Sequence, residues 1–322
     1  MAIESFAQQL NTWGAERTPF LFIVDFEMKK PLAFRLTEVD PEQILFACNQ
    51  VGNDNGIKHN VTVSLRKHPV SIADYTKRFD KVYNHLLYGD SFLANLTVKT
   101  PIELSCSLKE LFYRSEAKYK LWFKDEFLVF SPETFVQISD NKIFSFPMKG
   151  TIDARIPDAA SIILADKKEE AEHITIVDLI RNDLSQVATR VSVSRFRYLE
   201  ELKTNHKDLL QVSSEVYGEL AADFHSQIGD ILVALLPAGS VSGAPKPKTL
   251  EVIREAEGED RGYYTGVFGL YDGKKLDSAV MIRYIEKEGD QFYYRSGGGI
   301  TTQSNAMQEY KEVIDKIYVP VN

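Results

Sequence analysis

The sequence predicts one mixed α+β unit built on large sheets. Strand-like and helix-like stretches alternate irregularly along the whole chain, and no repeat, low-complexity tract or proline-rich linker divides it. Composition agrees: 322 residues, 44% hydrophobic and 26% charged, suffice for a large core. A net charge of −8 speaks against a nucleic-acid partner. No apolar run reaches the ~18 residues of a membrane span. Met1 to Trp13 is polar, carries Glu4 and lacks the basic and apolar blocks of a secretory signal. Cys48 and Cys106 fit a reducing cytoplasm and buried packing rather than a disulfide framework.

The elements follow from pattern. Phe20 to Phe26 is a short apolar run and reads as a buried strand, as do Ile44 to Asn49 and Val61 to Leu65, with the turn-rich Gly52 to Gly56 between the last two. Ile72, Tyr75, Phe79, Val82 and Leu86 recur at helical spacing, and Gly89 closes that helix. Ser91 to Glu103 reads as a strand, Ser107 to Ser115 as a short helix, and Tyr119 to Phe123, Phe127 to Phe130 and Phe135 to Phe146 as strand and hairpin. Lys167 to Ala188 lacks Gly and Pro and reads as a helix. Val191 to Phe196 and Leu210 to Leu220 are strands, and Ile228 to Leu236 is an apolar helix. Pro237 to Lys246 is a loop opening the helix Lys248 to Ala256. Tyr263 to Leu270, Ser278 to Ile285 and Gln291 to Arg295 are strands, and Ala306 to Ile317 is the last helix.

Chemistry centres on Pro147-Met148-Lys149-Gly150-Thr151. Proline stiffens the approach to this lysine, and glycine after it lets backbone come close to a ligand. The same five residues also fit an ordinary strand end. Glu169 and Glu172 share one face of their helix, and Glu309 and Glu312 repeat that spacing on the last helix. Such carboxylates suit Mg²⁺ or, equally, two solvated faces. Gly297-Gly298-Gly299, placed between a strand and a helix, offers bare amides to an anion or is a turn. Ser240, Ser242 and Gly243 form a similar cradle, without the spacing of a nucleotide-binding loop. Arg283, inside an apolar strand, is a fork donor suited to a carboxylate or an edge charge. Glu133 precedes Lys149 by sixteen positions, so a strand pair joined by a turn brings acid and amine together.

Taken together, these motifs resemble the chorismate-utilising enzymes. Ser131-Pro132-Glu133, the Lys149 segment, Glu172 with Val177 to Asp183, Pro237 to Lys246, Tyr264-Thr265-Gly266, Ile282-Arg283, Gly297 to Gly299 and Glu309 to Lys316 occur in that family's order, from about Tyr75 to Pro320. The resemblance implies one domain over residues 1–322, two stacked sheets flanked by helices, and a shortened front over about 1–70. It implies chorismate as substrate and Mg²⁺ as cofactor. Glu172 and Glu309 are the implied direct ligands, with Glu169 and Glu312 beside them, and the metal holds the ring carboxylate. Gly298, Gly299 and Lys316 are implied at that carboxylate, Tyr264 and Arg283 at the enolpyruvyl carboxylate, and Gly150, Thr151, Ser242 and Gly243 around the ring. Glu133 is the implied general acid.

Lys149 points to the aminodeoxychorismate synthase branch, where such a lysine attacks C2 as the C4 hydroxyl leaves and ammonia then enters at C4. Anthranilate synthases usually carry alanine there. The ammonia is implied to come from a separate glutamine amidotransferase subunit. A lysine nucleophile must shed its proton, so burial or a nearby cation is expected to lower its pKa. Two positions depart from the family. Leu93 stands where the family has glutamine and where isochorismate and salicylate synthases place a water-activating lysine, which speaks against hydroxylation chemistry. Gln211 stands for a histidine tied to pyruvate elimination in anthranilate synthases, so a product retaining the enolpyruvyl ether is expected. The short front predicts no tryptophan feedback, with Trp13 and Trp122 as packing residues.

Overall fold

Alternation within a single strand shows how the layers form. Along Phe20–Val24 every side chain is buried. Phe20, Phe22 and Val24 face one apolar cluster and Leu21 and Ile23 face another, so the strand is covered on both sides. The computed structural model describes residues 1–54, 62–203 and 208–321. Among them, two nine-stranded sheets form the frame.

The first sheet runs Met148–Asp153, Asp208–Glu219, Lys142–Ser145, Thr134–Ser139, Leu276–Val280, Val267–Tyr271, Phe20–Val24, Leu32–Arg35, with Thr189–Lys203 also paired to Asp208–Glu219. The second runs Gly243–Ala244, Leu93–Leu104, Gln291–Ile300, Tyr284–Glu288, Phe127–Ser131, Tyr119–Phe123, Ile44–Cys48, Val51–Gly52, with Leu65–Lys67 also on Leu93–Leu104. Ile23, Phe268 and Ala279 of the first sheet meet Phe46, Leu121 and Val129 of the second in a shared core. Ile3–Ala15, Lys167–Leu184 and Ile228–Leu235 cover the outer face of the first sheet through Phe6, Leu10, Val177, Leu184 and Leu232. Ile72–Tyr88, Lys246–Glu257 and Ala306–Asp315 cover part of the second through Tyr75, Phe79, Val252 and Val313.

Two strands change sheets side by side. Phe127–Ser131 lies in the second sheet and Thr134–Ser139 in the first, with Pro132 and Glu133 between them. Leu276–Val280 lies in the first and Tyr284–Glu288 in the second, with Arg283 between them. The crossings are tied together, since Val280 N donates to Glu133 O at 3.2 Å and Phe130 N to Arg283 O at 3.2 Å.

Several expectations are corrected here. The strand expected over Ser278 to Ile285 is broken, because Arg283 takes a left-handed φ of 54° at the crossing. Gly297 to Gly299 lie inside Gln291–Ile300 rather than at a helix entrance. Tyr263 to Gly266 form a turn, with Gly266 N donating to Tyr263 O at 3.1 Å, so the strand starts at Val267. The Pro237 to Lys246 loop holds a helical turn, Gly239–Ser242, and a short strand, Gly243–Ala244. Of the strand expected over Val61 to Leu65, Val61 lies outside the described residues and the strand observed is Leu65–Lys67. Asn55 and Gly56 of the expected turn also lie outside them. The helix Ile3–Ala15 was not expected; Phe6, Leu10 and Trp13 give its buried stripe. Trp13 and Trp122 are both buried, as expected of packing residues.

Behind the loop Pro237 to Lys246 lies a buried ion pair. The Arg261 guanidinium is 1% exposed. It donates to Glu257 through Nε at 2.9 Å and Nη2 at 2.7 Å, to Val241 O at 2.8 Å and to Asn95 O at 2.6 Å. Glu257 Oε1 also accepts from Thr97 N at 2.8 Å. One residue thus joins the helix Lys246–Glu257, the Pro237 loop and the strand Leu93–Leu104.

Candidate active site

Lys149 sits in a bulge. The strand Met148–Asp153 pairs with Asp208–Glu219, and the register shifts between Met148, opposite Ser213, and Thr151, opposite Gln211. A bulge re-aims a side chain that regular pairing would fix. Gly150 makes it possible at φ 80°, a left-handed value that costs other residues more. The Lys149 side chain, 25% exposed, donates to Glu172 Oε2 at 3.2 Å.

Lys149 also reaches the second sheet. A Cβ at Gly299 would lie 3.4 Å from Lys149 Nζ and 3.1 Å from Leu93 Cδ1. A Cβ at Gly298 would lie 3.5 Å from Glu309 Oε2, 3.8 Å from Glu312 Oε1 and 3.9 Å from Lys316 Nζ. The strand is therefore bare where it meets the amine at Gly299 and the acids of the last helix at Gly298. Lys316 Nζ donates to Glu312 at 2.6 Å and to Gly297 O at 2.9 Å. From the first sheet's side, a Cβ at Gly150 would come 3.1 Å from Glu169 Oε2. Lys149, both glutamate pairs, Gly150, Gly298, Gly299 and Lys316 thus share one cleft.

Glu133 and Arg283 enter that cleft from the paired crossings. Glu133 accepts a short hydrogen bond from the Ser240 hydroxyl. Withdrawal from water raises the Glu133 pKa, against the lowering pull of Ser240, Lys149, Arg283 and Lys316. The carboxyl therefore keeps a proton to higher pH than an ordinary glutamate. Arg283 has no hydrogen-bond partner at its buried Nε.

For Lys149 the expectation is overturned. Burial pulls its pKa down, but Glu172, Glu312 and Glu169 together outweigh burial, and the ammonium is held above the ordinary lysine range. The resting amine is a counter-ion to the acids around it.

Other expected residues lie elsewhere. The Ser242 hydroxyl turns back to Ala238 O at 2.9 Å and is fully buried. Gly243, at φ 135°, packs on the carbonyl of Leu93 and pairs with Ala94. Ser240 of the same loop is the one that touches the acid. Tyr264 is 3% exposed within the core between the sheets, its pKa pushed up to about 12 by burial. Arg283 lies within electrostatic reach of it. Thr151 is exposed at the outer end of the bulge.

His173 escaped the sequence reading. It is buried, and burial with Arg197 and Lys149 nearby pushes its pKa down to about 4. Ser214 Oγ accepts from Arg197 N at 2.9 Å and shares a hydrogen bond of 2.7 Å with His173 Nε2. That bond fastens the helix carrying Glu169 and Glu172 to the sheet. A histidine beside Glu172 gave no spacing signal of its own.

A family profile described as chorismate binding enzyme matches residues 7–322. The chain belongs to that family. A "PabA-like protein" of Haemophilus influenzae is 48% identical over 99% of this chain and 97% of its own length. Aminodeoxychorismate synthase component 1 of Bacillus subtilis is 29% identical over 78% of this chain and 55% of its own length. Among solved structures, anthranilate synthase component I from Streptococcus pneumoniae superposes with a TM-score of 0.67 at 27% identity, over 79% of this chain and 58% of that one. The two-sheet α+β fold expected from the motifs is the fold of these relatives. No helix among the described residues is long and apolar enough to cross a membrane.

For the implied Mg²⁺, the donor set is chemically apt: four carboxylates on two helices, with glycine at 298 leaving room beside Glu309 and Glu312. Two of the four are neutralised by Lys149 and Lys316. Among the described residues, no three ligating side chains already converge on one point. The four acids lie on two helices with lysine ammonium groups beside two of them.

Proposed function

We propose that this chain is component I of an aminodeoxychorismate synthase, converting chorismate and ammonia to 4-amino-4-deoxychorismate and water. The observation that carries this reading is the bulged Lys149 amine, turned across the cleft toward Gly299 with Glu133 in electrostatic reach. In this reading the Lys149 nitrogen forms a bond to ring C2, the ring double bond shifts, and the C4–O bond breaks with a proton from Glu133, releasing water. Ammonia then bonds to C4, the double bond shifts back, and the C2–nitrogen bond breaks to return the amine. The ammonia comes from a glutamine amidotransferase subunit.

Glu172 and Glu309, with Glu169 and Glu312, would hold Mg²⁺. When bound, the ion supplies positive charge for the ring carboxylate and offsets the Glu172 charge that otherwise holds Lys149 protonated. Arg283 takes the side-chain carboxylate by its fork. Lys316 and the glycine amides at 298 and 299 complete the positive lining that a dianion needs in an acidic protein.

Incubation with chorismate, Mg²⁺ and ammonium salt, followed by mass analysis with and without a lyase, tests the reading. A product retaining the enolpyruvyl ether, converted to para-aminobenzoate only with lyase, is expected. Fluorescent anthranilate instead would overturn it. Glu133→Gln should lower turnover ~10²–10⁴-fold. In the parent, kcat should fall as pH rises through the raised Glu133 pKa, because only the protonated acid serves the leaving hydroxyl; an unchanged high-pH limb in Glu133→Gln removes its role as acid. Glu309→Gln should raise the Mg²⁺ concentration for half-maximal rate by roughly tenfold or more, in line with the loss of one carboxylate from such a site. Parent activity indifferent to chelator would refute the metal site.

A further inference from the structure

Arg283 is held in an unusual way. Its backbone is left-handed at the crossing between sheets, and its Nε has no hydrogen-bond partner. Its guanidinium carbon instead lies 5.2 Å from the ring centroid of Tyr318. An acidic neighbour would occupy the donors of the arginine fork. An aromatic face holds the cation by its quadrupole, and the Tyr318 side chain also hydrogen-bonds the guanidinium, so ring and hydroxyl together position the fork while Nε stays open to an incoming anion.

Tyr318 is well placed for this. The last helix ends at Asp315, Lys316 is fixed to Gly297 O, and Ile317 is buried. The Tyr318 carbonyl accepts from the hydroxyl of fully buried Tyr294 at 3.0 Å. Beyond it, Glu116 N donates to Pro320 O at 2.8 Å, and Val321 bridges Ser115. The backbone is therefore pinned on both sides by main-chain contacts that do not depend on the side chain at 318. Tyr318 as a residue is 47% exposed, so ordinary core packing does not account for its place.

We propose that Tyr318 is a positioning residue, whose ring holds the Arg283 guanidinium flat with its donors turned to the carboxylate of the substrate's side chain. The inference rests on the chorismate reading above. It makes Tyr318 a determinant of binding and of preference for substrates carrying that second carboxylate, with no part in the bond changes at the ring.

The test compares Tyr318→Ala and Tyr318→Phe with the parent, using calorimetric binding of chorismate and steady-state kinetics with ammonium salt. Tyr318→Ala should weaken binding and raise KM about tenfold, with kcat within about twofold, the range open to a partly desolvated cation–π contact. Tyr318→Phe, which keeps the ring and loses only the hydroxyl's bond to the guanidinium, should restore KM to within about threefold of the parent. Thermal unfolding of both variants should match the parent, because the main-chain contacts at 318 remain. The inference is overturned if Tyr318→Ala binds chorismate as tightly as the parent, if Phe fails to restore binding, or if kcat and thermal stability fall together with KM unchanged. Failure of the parent itself to bind chorismate would instead refute the functional reading, so the two failures are distinguishable.

Discussion

Lys149→Ala should lose C4 amination by roughly 10³-fold or more, the scale expected when a covalent nucleophile is removed. Chorismate should still bind, since the Arg283, Lys316 and glycine groups that recognise its carboxylates are untouched. Lys149→Arg should be as inactive, because a guanidinium stays protonated and cannot attack carbon. Intact-protein mass spectrometry of the parent, with chorismate but without ammonia, should reveal an adduct of chorismate less water that the variant lacks. Equal aminodeoxychorismate formation by parent and Lys149→Ala would eliminate the covalent route and leave direct attack by ammonia. The raised Lys149 pKa adds a condition. With its acids uncompensated the amine is an ammonium, so Glu172→Gln should change the pH dependence of turnover as well as its metal requirement.

Arg261→Ala should destabilise the fold by about 3–5 kcal/mol, the cost of leaving a buried carboxylate without its partner. Three elements lose a common anchor, and Glu257 is left with the Thr97 amide. Chemical denaturation should show an earlier midpoint, and expression at 37 °C should suffer. Replacing both members, Arg261→Met with Glu257→Leu, should recover much of the loss because no lone charge remains. A midpoint for Arg261→Ala within experimental error of the parent would mean that water reaches Glu257 and that the pair is not a structural anchor.

Much of this was legible in sequence. The helix Ile72–Tyr88 was, because apolar spacing and the Gly89 stop agree, and Lys167–Leu184 was, because the stretch lacks Gly and Pro. Lys149 stood out through the order of motifs around it, since its own five residues also fit an ordinary strand end. What sequence could not give was the path between sheets. Ser278 to Ile285 is apolar apart from Ser278 and Arg283, and only the left-handed backbone at Arg283 reveals that it crosses from one layer to the other. The glycines at 297 to 299 looked like a turn because a residue without a side chain carries no period; in the strand they make room for Lys149, Glu309 and Glu312. The Lys149 pKa was misjudged for a related reason. Burial is visible locally, whereas the three carboxylates come from two distant helices. Ser242 and Ser240 were indistinguishable in the loop until its helical turn set which hydroxyl faces Glu133.

The chain visits one layer, then the other, and returns several times before it ends. The amine belongs to one layer and the glycine strand it faces to the other, and neither layer is a continuous stretch of sequence. The reaction centre therefore needs both layers, with Glu133 to Glu172 supplying one side and Gly298 to Lys316 the other. Most contacts that matter join residues far apart along the chain, so assembly is slow relative to a helical protein of this size.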